Sequence, residues 1–230
     1  MVISENIKNI KHRIAIAAQK AGRDAGDIKL LAVTKTQSSQ TIDEAVKEGV
    51  SFIGENRIQE AETKLPELTE NYDEFHFIGH LQSNKIPKLM ALKPTLIHSI
   101  EKLSTVSKLN DYLISHNIIQ DVLVQINTSA ETSKSGIEPK DAFDFITKVS
   151  KLSNIKIMGL MTIGMFTNDV LIIHKCFRTL KDIFDNVKAE NIPKVQMKYL
   201  SMGMTGDFEI AIEEGANIVR IGSAIFGNRY

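Results

Sequence analysis

Short apolar runs recur along the chain, and stretches of helical period separate them. The runs are IKLLAVTK (28–35), VSFIGEN (50–56), EFHFIGH (74–80), TLIHSI (95–100), DVLVQINT (121–128), IKIMGLMTI (155–163), KYLSMG (198–203) and NIVRIGS (217–223). Each has strand length and is rich in β-branched residues. Between them, stretches such as SQTIDEAVKEG and AFDFITKVSKL place apolar residues three and four apart, which is one buried helix face. Strands alternating with helices indicate βαβ units on a parallel sheet. Ahead of the first run, Ile3, Ile7, Ile10 and Ile14 also recur at helical spacing. They predict an extra N-terminal helix with Glu5, Lys8, Lys11 and Arg13 on its solvated face.

Eight such units in 230 residues point to a closed (β/α)8 TIM barrel, a fold of about 250 residues. An open doubly wound sheet is the alternative, but no glycine-rich dinucleotide fingerprint follows the first strand. No Pro/Ser-rich or low-complexity linker interrupts the chain, so residues 1–230 are read as a single domain. Lys plus Arg and Asp plus Glu number 28 each, which gives no electrostatic bias toward nucleic acid or acidic membranes. Cys176 is the single cysteine, and no Cys/His cluster has the spacing of a metal site. The N-terminus lacks the apolar core of a signal peptide, and no segment has bilayer length. A cytoplasmic protein without nucleic-acid or membrane partners is expected.

A barrel carries its chemistry at the C-terminal ends of its strands. Side chains alternate across a strand, so parity tells which ends face inward. Leu31 and Val33 share a face with Lys35, Phe52 and Gly54 with Asn56, and Leu123 and Gln125 with Asn127. Tyr199 shares one with Ser201, and Ile218 with Arg220. Lys35 is the sharpest of these: a desolvated lysine at a barrel mouth is a usable amine nucleophile, although most strand-end lysines simply reach solvent. The segments LSMGMTGDFEIAI (200–212) and VRIGSAIFG (219–227) follow strands seven and eight, where this fold binds phosphate. Ser201, Gly203, Gly206, Gly222 and Ser223 offer hydroxyls and close backbone approach there, or else two turns that close the barrel. His76, His80 and His98 read as core or rim histidines, Glu55 and Glu60 as a solvated helix start, and the methionines around 158–165 and 202–204 as core filling.

Together these segments resemble the pyridoxal phosphate homeostasis proteins, which look like the N-terminal barrel of alanine racemase standing alone. AVTK (32–35), GEN (54–56), HFIGHLQSNK (76–85), IHSI (97–100), QINTSAETSKSG (125–136), GLMTI (159–163), LSMGM (200–204) and VRIGSAIFG (219–227) carry the resemblance in order. It implies a pyridoxal 5′-phosphate (PLP) held as a Schiff base on Lys35. It further implies that Ser201 and the backbone of Gly222 and Ser223 hold the phosphate, that Arg220 faces the pyridine nitrogen, and that Asn56 sits beside the cofactor. Phe75 where relatives have Trp, Arg57 after GEN, and Thr205 in place of a common Ser are the departures.

The implied role is intracellular PLP (vitamin B6) and amino-acid homeostasis with no catalytic residues assigned, PLP-dependent apoenzymes being the recipients. A racemase of this fold needs a second base from a separate β-domain, for which a sequence ending at Tyr230 leaves no room. The alternatives are a PLP-dependent amino-acid racemase and, further off, an aldolase-like barrel whose Lys35 reacts with substrate directly.

Overall fold

Leu31, Ala32 and Val33 are buried on both faces of their strand, as a parallel strand between two layers requires. The computed structural model, which describes residues 2–129, 131 and 135–227, repeats this pattern around a closed barrel. Its strands are β1 (Lys29–Val33), β2 (Phe52–Glu55), β3 (Glu74–Phe77), β4 (Leu96–Ile100), β5 (Gln120–Gln125), β6 (Ile155–Met161), β7 (Val195–Ser201) and β8 (Ile218–Ile221). They pair in parallel and in order, and β8 closes on β1. All eight expected runs are strands. β7 starts ahead of its apolar run because Gln196 and Lys198 are exposed on either side of buried Met197.

α1 (Val2–Lys20) precedes the barrel. α2 (Ser39–Lys47), α3 (Ile58–Lys64), α4 (Ile86–Ala91), α5 (Leu103–Ser115), α6 (Ala142–Ser150), α7 (Val170–Ala189), α8 (Phe208–Glu213) and α9 (Ser223–Phe226) each follow one strand. α1 buries Ile7, Ile10, Ile14 and Ala17, the face its spacing predicts. It braces the last two units: Arg13 pairs with Glu209 at 2.6 Å, and Asn6 donates to the Ile225 carbonyl at 2.9 Å. No helix among the described residues is long and apolar enough to cross a membrane.

Two apolar layers result. Outward-facing residues such as Ala32, Phe77, Val124, Leu160 and Val219 pack under the helices. Leu31, Leu96, Leu123, Met158, Met161 and Ile218 fill the barrel, each buried side chain worth ~1.5–3 kcal/mol. Met158 and Met161 are three apart yet both face inward, because the β5–β6 register shifts between Val122 and Leu123. Gly159 sits at that irregularity with φ +145°, and a Cβ there would lie 1.8 Å from the Tyr199 carbonyl oxygen. Beside this apolar filling the interior also holds polar side chains, with buried His76, His98, Gln125, Ser201 and Arg220.

Candidate functional site

A cavity of about 860 Å³ opens at the C-terminal mouth, a size suited to a small molecule. Lys35, Thr36, Arg220, Gly222 and Ser223 line it, with the loop 163–168 and residues 204–207. Lys35 follows β1, and the next residue, Thr36, has a positive φ of 66°. A Glu60 carboxylate oxygen accepts the Thr36 N–H at 2.7 Å and pairs with Lys64 at 2.8 Å. Lys64 donates in turn to the Thr34 carbonyl and to Glu55, which also takes the Thr34 hydroxyl at 2.7 Å. This cluster ties down the turn that presents Lys35.

Glu55 and Glu60 are therefore not a solvated helix start. Glu55 faces out of the barrel into the layer under α3 and is fully buried. Burial raises its pKa against the pull of Thr34 and Lys64. Burial also opposes ionisation of Glu60, but Lys64 and the Thr36 N–H outweigh it and lower its pKa.

Arg220 reaches the cavity from β8 while remaining 5% exposed. Its Nη1 donates to the Ser201 carbonyl at 2.9 Å and hydroxyl at 2.8 Å, and its Nη2 to the Thr162 carbonyl at 2.8 Å. Burial pushes its pKa down to about 10, while the nearby Asp207 carboxylate pulls upward. Burial raises the pKa of Asp207, partly offset by a 2.6 Å bond from the Met204 N–H.

The loops after β7 and β8 meet side by side in the wall. The Ser223 hydroxyl donates to Thr205 Oγ1 at 3.1 Å, and the Ala224 N–H points to the same oxygen at 3.4 Å. Both contacts use Thr205 as acceptor, so its own hydroxyl hydrogen is left to point elsewhere. The hydrogen-bond ladder of α9 starts at the Ile225 N–H, which leaves the Ser223 N–H outside it.

The structure thus brings Lys35, Arg220, Gly222 and Ser223 to one cavity. Asn56 stands just past β2. Val33 pairs with Gly54, and that register carried two residues on sets Asn56 beside Lys35. Its Oδ1 is buried with no hydrogen-bond partner. Ser201 is not brought to the cavity wall: it is fully buried, with its hydroxyl engaged by Arg220 and by His98 at 3.1 Å. Strand parity finds that Ser201 faces inward but not that it lies one layer too deep. Thr205 occupies the wall instead, and its hydroxyl in place of a common Ser is the signal that could have found it.

Sequence reasoning also missed Asp207 and the loop 163–168, where Met165 and Phe166 line the cavity rather than fill the core. Among the described residues no cluster of three His, Cys, Asp or Glu could hold a metal ion.

A family model described as alanine racemase, N-terminal domain, matches residues 6–230. The pyridoxal phosphate homeostasis protein of Aquifex aeolicus is 39% identical to this chain, over 98% of it and 97% of its own length. The chain belongs to the pyridoxal phosphate homeostasis protein family. A Vibrio cholerae member of the family is also 39% identical, over 99% of this chain and 96% of its own. PipY of Synechococcus elongatus PCC7942, solved with PLP bound, is 27% identical and superposes with a TM-score of 0.83, covering 98% of this chain and 100% of PipY.

Proposed function

We propose that residues 1–230 form one PLP-binding domain that holds the cofactor as a Schiff base on Lys35. In this reading it stores PLP in the cytoplasm and hands it to PLP-dependent apoenzymes, with little or no turnover. The observation that carries the reading is one cavity that Lys35 and Arg220 both line.

The donor set fits PLP, an anionic aromatic aldehyde. Lys35 offers the amine for the aldehyde. Thr205, Ser223 and the backbone at Gly222 and Ser223 offer hydroxyl and N–H donors for a phosphate, at the place where this fold binds one. The orphaned Asn56 Oδ1 offers a polar contact beside Lys35. Family membership and the PLP carried by PipY support the same group.

When bound, PLP supplies an aldehyde that exchanges between amines and a ring that can draw electrons from them. The chain's own residues limit the second property. Arg220 donates hydrogen bonds and cannot accept one, so facing the ring nitrogen it disfavours a proton there. An acidic partner would favour that proton and deepen the electron sink. Exchange at the aldehyde stays open, as storage and delivery in vitamin B6 and amino-acid homeostasis require.

The test is spectroscopic. Purified protein given PLP should be yellow, with a visible band that borohydride bleaches, and should leave D- and L-alanine unracemised over hours. A colourless protein that takes up no PLP contradicts the reading, and racemisation at enzymatic rates contradicts its storage role.

A further inference from the structure

Five buried or half-buried polar side chains from four strands run in a line through the barrel. At the N-terminal mouth, Glu74 pairs with Lys29 at 2.5 Å, both side chains about a quarter exposed (24% and 22%). Glu74 Oε2 meets His76 Nε2 at 2.7 Å, and His76 Nδ1 meets His98 Nε2 at 2.9 Å. His98 Nδ1 meets the Ser201 hydroxyl at 3.1 Å, and Arg220 Nη1 meets the same hydroxyl at 2.8 Å. His76, His98 and Ser201 have no exposure at all. The line joins the mouth opposite the cavity to the cavity itself.

The chemistry of its two ends fixes its direction. Arg220 can only donate, and an ionised Glu74 can only accept. His76 and Lys29 hold Glu74 ionised against burial, with its pKa lowered to about 2. Burial lowers the pKa of His76 despite Glu74, and that of His98 still further, where a proton on His76 and the Arg220 guanidinium would each oppose a further cation. Each ring is therefore neutral near pH 7 and carries one N–H.

Starting from Glu74, His76 must carry its hydrogen on Nε2. Its bare Nδ1 then accepts from His98 Nε2–H, and the bare Nδ1 of His98 accepts from the Ser201 hydroxyl. The Ser201 lone pairs are left facing Arg220. The opposite polarity would set a bare His76 nitrogen against a carboxylate 2.7 Å away, which repels.

We propose that Glu74, His76, His98 and Ser201 form a one-directional hydrogen-bond column that positions Arg220 from the far end of the barrel. The carboxylate at one mouth orients a hydroxyl at the other, and that hydroxyl holds the guanidinium fork that faces the cavity. These are positioning residues. Lys29 steadies Glu74 from outside the column, and Asp207 is the carboxylate that acts on Arg220 from the cavity side. What Arg220 then presents to a PLP ring nitrogen rests on the function proposed above, whereas the column itself does not.

Nitrogen-15 NMR of histidine-labelled protein without PLP reads the tautomers directly. The expected wild-type pattern at neutral pH is Nε2–H on both His76 and His98. Glu74→Gln, whose amide can donate as well as accept, should lose the pure Nε2–H pattern at both rings. Lys29→Gln should keep it, because the acceptor remains. After PLP loading, Glu74→Gln should also shift the ring-nitrogen signal of the cofactor relative to wild type.

Nδ1–H on either ring of the wild type overturns the column, and that measurement stands even if Glu74→Gln fails to fold. An unchanged tautomer pattern in Glu74→Gln, or the same change in Lys29→Gln, overturns it as well. Failure of all variants and wild type to take up PLP would contradict the proposed function while the tautomers still judge the column.

Discussion

Arg220 Nη1 donates to the Ser201 hydroxyl at 2.8 Å, so a serine expected to bind a cofactor is spent on holding an arginine expected to bind the same cofactor. The two are stacked layers of one site. Arg220 reaches the cavity and Ser201 lies beneath it.

That arrangement separates two substitutions. Thr205→Val removes a hydroxyl from the cavity wall and should weaken PLP relative to phosphate-free pyridoxal. A hydrogen bond to a charged group is worth roughly 1.5–3 kcal/mol, about tenfold or more in affinity. Ser201→Ala should weaken both ligands alike, since it acts through Arg220. Absorbance titrations with the two ligands measure the ratio, and a PLP-selective loss in Ser201→Ala would return that residue to the phosphate.

Gly79→Ala should damage both fold and site. A Cβ on Gly79 would lie 2.0 Å from the Asn56 carbonyl oxygen and 2.6 Å from its carbon. Backbone must move, and overpacking of this kind costs about 1–3 kcal/mol. Asn56 is the residue displaced, next to Lys35 in register, so the urea midpoint and PLP affinity should fall together. A variant with unchanged midpoint and affinity would show that the β2 end yields freely.

The eight strands and the N-terminal helix were legible because short β-branched runs and a three-and-four apolar spacing are local signals. Lys35, Gly222 and Ser223 were legible for a similar reason, standing just past strands whose inward parity is readable. Depth was not. Ser201 and Arg220 have the same parity, and only the closed register, with Leu31 opposite Arg220 and Ser201 opposite Ile218, sets their levels. Glu55 reads as part of a polar helix start until barrel closure places α3 over it. His76 and His98 meet from different strands, and His98 meets Ser201 from 103 residues away, which no window of sequence reveals.

The histidines and Glu74 also set an acid limb in two stages. His76 and His98 have depressed folded pKa values, so the stability they contribute is full above the ordinary histidine value of 6.5 and falls as pH drops below it. Glu74 is held at about 2 against an ordinary 4.5, so its contribution is full above 4.5 and is lost as pH falls toward 2. For a pair a quarter exposed the second stage is on the order of 1 kcal/mol. Urea denaturation across the acid range should show Glu74→Gln flattening the second stage and deepening the first, since Glu74 raises the pKa of His76. An acid limb identical to wild type below pH 4.5 would mean that Glu74 gains nothing from its partners.

Intact-mass measurement after borohydride reduction shows whether Lys35 carries PLP. Wild-type protein incubated with PLP should gain one reduced cofactor, and peptide mapping should place it on Lys35. Lys35→Ala, whose side chain lies in the cavity wall and not in the barrel packing, should fold and gain none. An adduct that persists on Lys35→Ala, or maps to another lysine in the wild type, would place the cofactor elsewhere.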